Sequence, residues 1–237
     1  SFQKMIRNFL FSTFFFSGLI FILLLFIPSF VLPQKFTLFG GKLMGYWSKI
    51  CLKVFFSTKI TIRGKENIIS KKKFFIASSH QSMFETFFLQ TIFNSPVFIL
   101  KRELLFIPLF GWYLKKIGSI TIKRNKVTKD NSDFFKDISK TINNTDRPLV
   151  IFPQATRVLP SERPPFKKGA FRIYDEFKIY CQPVAINSGY VWPKIGKKRV
   201  NKEIIISILE PILPGLSKEE FTLKLEKKIY AELDKLN

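Results

Sequence analysis

Phe75-Ile-Ala-Ser-Ser-His-Gln-Ser-Met-Phe-Glu85 carries an apolar strand into a polar turn and then into a helix-patterned stretch. The same alternation continues outward on both sides of it from Ser57 onward. Short β-branched or aromatic runs predict strands at Lys59–Arg63, Phe74–Ser78, Val97–Leu100, Ser119–Lys123, Leu149–Phe152, Gln182–Ile186 and Glu203–Leu209. Between and after them, helices are predicted over Ser82–Ile92, Leu105–Ile117, Asp130–Ile142, Lys168–Phe177 and Lys218–Lys235. The last of these opens with Ser217-Lys-Glu-Glu220, a capping-box pattern. Residues 57–237 are therefore expected to form one α/β domain with a mostly parallel central sheet of about seven strands flanked by helices. In such sheets ligands bind beyond the carboxyl ends of the strands.

The first 56 residues have another character. Residues 8–34 hold no Asp, Glu, Lys or Arg, and Phe9–Ile27 is almost wholly apolar. As a helix that run would extend about 28 Å, close to the thickness of a bilayer's hydrocarbon core. Pro28 and Pro33 end it. Lys4 and Arg7 precede it as they would in a signal peptide, but no small-x-small cleavage site follows, so the segment is expected to be retained. Over Phe36–Phe56, Lys42, Lys49 and Lys53 mark one helical face, and Leu43, Trp47, Ile50 and Val54 another. Residues 1–56 thus read as an N-terminal pair of membrane-associating helices. They contain six basic residues and no acidic one, which suits an anionic leaflet. A single crossing and a re-entrant hairpin are both compatible with the pattern. The lysines of the domain place it on the cytoplasmic side of the inner membrane by the positive-inside rule.

Composition narrows the chemistry. Among 237 residues, 39 Lys and Arg stand against 17 Asp and Glu, a formal charge of +22. Such an excess attracts polyanions, although AT-rich coding alone produces Lys-, Asn-, Ile- and Phe-rich chains. The 46% hydrophobic content excludes a disordered polycation. One histidine excludes a multi-His metal site, and two cysteines, Cys51 and Cys181, exclude a disulfide scaffold or a four-cysteine zinc site. No metal and no organic cofactor is implied.

His80 lies at the carboxyl end of its predicted strand, five residues before Glu85. Within one helix that spacing rotates two side chains about 140° apart. They can meet only if His80 precedes the helix and Glu85 sits in its first turn, with Ser82 as N-cap. The carboxylate would then hold one ring nitrogen and leave the other free as a general base. Ser82-x-x-Glu85 is equally a capping box in which Glu85 merely closes the helix start.

His80-x4-Glu85 resembles the His-x4-Asp motif of the glycerolipid acyltransferases, in particular the 1-acyl-glycerol-3-phosphate (lysophosphatidic acid) acyltransferases. Three further segments match in order. Lys101-Arg-Glu-Leu-Leu-Phe-Ile-Pro-Leu-Phe-Gly-Trp112 is similar to the second block, which continues to Arg124. Phe152-Pro-Gln-Ala-Thr-Arg157 resembles Phe-Pro-Glu-Gly-Thr-Arg, and Pro183-Val-Ala-Ile-Asn187 resembles the fourth block. The likeness covers about half of the chain. It departs at Glu85 for Asp and at Gln154 and Ala155 for Glu and Gly; Gln154 cannot ionise, and Ala155 adds a Cβ where the backbone needs φ > 0 or close approach.

The resemblance implies transfer of a fatty acyl group from acyl carrier protein or coenzyme A to the sn-2 hydroxyl of lysophosphatidic acid, giving phosphatidic acid. His80 would be the base and Glu85 its orienting partner. Lys101, Arg124, Gln154, Thr156 and Arg157 would bind substrate; the cations also stand just past predicted strand ends, where they can grip a phosphate. Backbone N–H groups opening the Ser82 helix are candidates for stabilising the oxyanion, and Phe84, Phe87, Phe88 and Leu104–Trp112 for lining an acyl slot. The substitutions at Gln154 and Ala155 keep other acceptors open, lyso-ornithine lipid or glycerol-3-phosphate. A rival of another class is a non-catalytic, membrane-tethered basic domain that binds lipid or RNA; no RNA-recognition signature supports nucleic acid, and the four-block pattern is left unexplained by it.

Overall fold

A computed structural model describes residues 2–122 and 130–236. Seven strands form one sheet: β1 (Lys59–Arg63), β2 (Phe74–Ser78), β3 (Val97–Lys101), β4 (Ile120–Ile122), β5 (Leu149–Ile151), β6 (Tyr180–Ile186) and β7 (Glu203–Ile208). Their order across the sheet is β1-β7-β6-β2-β5-β3-β4, and every pairing is parallel except β6–β7. β2 therefore lies in the middle, with Ala77 opposite Ile151 of β5 and Pro183 of β6. The carboxyl ends of these three neighbours open on the same edge.

Side chains alternate across the sheet with the period of two that strands impose. Ile76, Val150, Val184 and Ile186 point to one face, with Phe11, Phe15, Phe56, Phe84 and Phe87. Those rings come from α1 (Phe2–Leu25), α2 (Gln34–Phe56) and α3 (Phe84–Ile92). Phe75, Ala77, Leu149 and Ala185 point to the other, with Ile138, Ile173, Tyr174 and Leu225 of α5 (Asp130–Asn144), α6 (Gly169–Phe177) and α7 (Lys218–Lys235). Ser217 and Glu220 form the reciprocal capping box that their spacing predicts at the start of α7.

One local expectation is corrected. The single helix predicted over Leu105–Ile117 is a 3-10 turn, Arg102–Phe106, followed by α4 (Phe110–Lys116). Pro108 supplies no N–H and biases the preceding Ile107 to extended backbone, φ −69° and ψ 120°. Leu109 then adopts φ +62°. In α2, Ile50 and Val54 of the apolar face are exposed. The buried face carries Gly40, Met44, Gly45, Ser48, Cys51 and Leu52. Small residues win because the neighbours come close: a Cβ on Gly45 would stand 2.6 Å from the Phe87 carbonyl oxygen.

α1 lies along the domain. Phe11 packs on Trp192 at 5.1 Å, Phe15 meets Phe87 at 5.7 Å, and Tyr113 donates to the Leu23 carbonyl. Its opposite side, including Phe9, Phe16, Ile20 and Leu24, is apolar and exposed.

Candidate active site

His80 is fixed by its own main chain before its ring does anything. Ser79 N–H donates to the Val184 carbonyl at 3.0 Å, and Ile186 N–H donates to Ser79 Oγ at 2.8 Å, which prolongs the β2–β6 pairing past the end of the strand. His80 N–H donates to Gln154 Oε1 at 2.7 Å, and the His80 carbonyl accepts from Val158 N–H at 2.9 Å. The imidazole stacks on Phe152 with centroids 4.0 Å apart and planes 17° apart. Residues of the β5 loop thus clamp the histidine that ends β2.

Glu85 is completely buried. Both carboxylate oxygens accept from Ser82 N–H, at 3.0 and 3.1 Å; Gln81 N–H adds a bond at 3.2 Å, and Ser188 Oγ donates to Oε1. Oε2 stands 3.4 Å from His80 Nδ1, within ion-pair reach but long for a hydrogen bond, and among the described residues Nδ1 has no hydrogen-bond partner. Glu85 therefore bonds the chain preceding the helix and faces the histidine at once. The helix itself begins at Phe84, not at Ser82, whose Oγ accepts from Phe84 N–H instead. Of the amides expected to stabilise an oxyanion at the start of this segment, Ser82 N–H is occupied by Glu85 and Phe84 N–H by Ser82 Oγ.

His80 lines a cavity of about 730 Å³ together with Lys101, Thr156 and Arg157, which the chain leaves far apart and the sheet edge brings together. Lys167, Lys168, Arg172 and Lys194 add cations to the same wall. Arg157 is half-buried, and among the described residues no carboxylate lies within 4 Å of it. Gln154 is buried off the cavity wall. Arg124 lies outside the described residues. Ala155 has φ +60°, so the backbone does take the left-handed conformation there. The cavity continues between α1, α2 and α3 past Phe26, Gly40, Gly41, Met44 and Phe87, with Leu104 and Phe110 beside it. Phe84 and Phe88 are instead core, stacked on each other at 4.8 Å.

Two residues escaped the sequence reading. Phe152 lies in a motif that gives its ring no role by sequence, and Ser188 has no local signal at all, since it meets Glu85 across 103 positions.

A mostly parallel sheet thus sets a histidine–carboxylate pair at its carboxyl edge, opening on a cationic and apolar cavity. The chain belongs to the Acyltransferase family, whose pattern matches residues 59–187. It is 35% identical over 135 residues to the 1-acyl-sn-glycerol-3-phosphate acyltransferase of Pseudomonas aeruginosa, covering 57% of this chain and 52% of that protein. The enzymes of the same name from Saccharomyces cerevisiae and Helicobacter pylori are 30% and 31% identical, over 74% and 66% of this chain and 60% and 67% of theirs. The chain thus spans about half to two thirds of the length of these relatives. The crystal structure of the 1-acyl-sn-glycerophosphate acyltransferase of Thermotoga maritima superposes with a TM-score of 0.78 at 22% identity, covering 98% of this chain and 97% of that one, and so shares its fold.

Proposed function

We propose that this chain moves a fatty acyl group from an acyl thioester, on acyl carrier protein or coenzyme A, to the free sn-2 hydroxyl of lysophosphatidic acid. The observation that carries the reading is His80, backed at Nδ1 by buried Glu85 and sharing one cavity with Arg157, Lys101 and Thr156. With Nδ1 turned to the carboxylate, Nε2 is the nitrogen left for substrate. It takes the hydroxyl proton as that oxygen attacks the thioester carbonyl; the tetrahedral intermediate then expels the thiolate, which recovers the proton from the imidazolium. Glu85 orients the ring and stabilises its cation. Arg157, with Lys101, grips the phosphate, and the apolar arm between α1, α2 and α3 receives an acyl chain. The names of the relatives favour this acceptor. Gln154 spends its oxygen on the His80 backbone, so its replacement of an acid gives no reason to prefer lyso-ornithine lipid or glycerol-3-phosphate.

The exposed apolar side of α1, with Phe2 and Phe9 about 70% accessible, supports seating residues 1–56 in a membrane leaflet as the anchor of the catalytic domain formed by 57–237. Contacts to the domain along much of α1 favour a hairpin lying in one leaflet over a single crossing. The inner membrane, with the domain in the cytoplasm, is the location that the charge pattern supports.

Purified protein offered one acyl thioester and a panel of lysolipids is expected to release free thiol and give phosphatidic acid only from the phosphate-bearing acceptor. Tight vesicle binding with no turnover on any acceptor would instead establish the binding-only alternative.

A further inference from the structure

Beyond Trp192 the chain makes a loop, Pro193–Lys202, that the chemistry at His80 does not use. It carries Lys194, Lys197, Lys198, Arg199 and Lys202 and no acid. Among the described residues none of these five cations has a carboxylate within 4 Å. Ile195 at the tip is 73% exposed, and Gly196 follows it at φ +100° with nothing within 4 Å of where a Cβ would sit. An aliphatic tip thrust outward among unpaired cations gains nothing from water alone.

The loop is tied to α1. The Lys198 ammonium lies 4.7 Å from the Phe11 ring centre and 5.6 Å from that of Trp192, a contact of the kind that strengthens when the cation is desolvated; burial lowers its pKa in keeping with that. Gly196, Lys197 and Lys198 then line a surface hollow with Phe2, Met5 and Asn8 of the first turns of α1. Phe2, Met5 and Phe9 are exposed beside it. Gly196, next to Ile195, thus brings the loop beside Phe2 and Met5 of α1, with Lys197 and Lys198 lining the same hollow.

We propose that Pro193–Lys202 is a second membrane contact: with the start of α1 it forms a basin for anionic phospholipid headgroups, and Ile195 enters the acyl region below them. The inference rests on the reading of α1 as a membrane-seated helix and adds to it a loop distant from α1 in sequence. Cations at headgroup depth around an inserted aliphatic side chain match an anionic leaflet; an acidic protein would account for the charges but not for Ile195 or its continuity with α1. Lys194 also lines the His80 cavity, so docking of this loop sets the cavity mouth at the level where a lysolipid phosphate lies.

The test uses the full chain with an environment-sensitive fluorophore on Ile195→Cys, and separately on Phe9→Cys; Cys51 and Cys181 are buried and stay unlabelled in the folded protein. On vesicles of phosphatidylcholine with phosphatidylglycerol, both probes are expected to shift to the blue and to be quenched by lipid-borne nitroxide. A lipid-embedded Phe9 probe with a water-exposed Ile195 probe overturns the loop contact and leaves the anchor standing. Two water-exposed probes overturn both. Removing Lys197, Arg199 and Lys202 together as glutamines is expected to weaken partition to anionic vesicles at low salt by about a hundredfold, from about fivefold per cation. An unchanged partition, or a loss confined to binding of an acidic acyl carrier protein, overturns the lipid assignment.

Discussion

The β2 side of the cavity and the β5 side differ in how deeply their functional side chains are buried. On the β2 side, Glu85 is fully buried and meets two backbone amides, the Ser188 hydroxyl and the His80 ring. On the β5 side, Ala155 sits at φ +60°, Thr156 is exposed, and Arg157 is half-buried and faces the cavity. Proton transfer needs atoms placed to a few tenths of an ångström, whereas an arginine can reach a phosphate from several rotamers. The buried Glu85 thus fits the proposed proton transfer, and the more exposed Arg157 the proposed recognition.

Four substitutions bear on that contrast. His80→Ala is expected to lower kcat by about 10²–10⁴-fold with the circular dichroism spectrum unchanged; no other histidine exists to replace it, so retained turnover would remove the β2 side from the chemistry. Glu85→Gln keeps an acceptor for the Ser82 amide but no charge for the imidazolium. It is expected to cut kcat by about 10²-fold or more while binding of lysolipid to the inactive protein, read by calorimetry, stays within about twofold. A near-normal kcat would leave Glu85 with helix closure alone.

Arg157→Ala should act differently. Loss of a bidentate phosphate grip is expected to raise KM for a phosphate-bearing lysolipid by about tenfold or more, since charge-assisted bonds contribute about 1.5–3 kcal/mol, and to leave KM for the thioester nearly unchanged. Equal rises in both constants would erase the distinction between the two sides. The smallest effect belongs to Ala155→Gly. A left-handed L-residue costs about 1–2 kcal/mol, and glycine returns about 0.4–1 kcal/mol of that through the unfolded chain. The expected result in a thermal melt is a Tm higher by about 1–3 °C; a lower Tm would show that the loop carries no strain there.

Much of this molecule is legible in one dimension. Lys59–Arg63, Phe74–Ser78 and Lys218–Lys235 fall where apolar runs and the capping box put them, because strand and helix periods and end signals are local. The helix predicted over Leu105–Ile117 misread a proline whose effect on Ile107 is itself local. The inner face of α2 was not legible. Its burial follows from the close approach of Phe26 to Gly40 and of Phe87 and Thr91 of α3 to Gly45.

The sequence by itself determined the alternation of strands and helices, the uncharged N-terminal run, the lone histidine and the carboxylate five residues after it, since each depends only on neighbours along the chain. Only the tertiary structure decided that the loops after β2, β5 and β6 would meet. The order β6-β2-β5 sets Ser188, Glu85, His80, Phe152 and Arg157 around one edge. Strand order is fixed by the packing of helices on both faces of the sheet, an energy that no single segment contains.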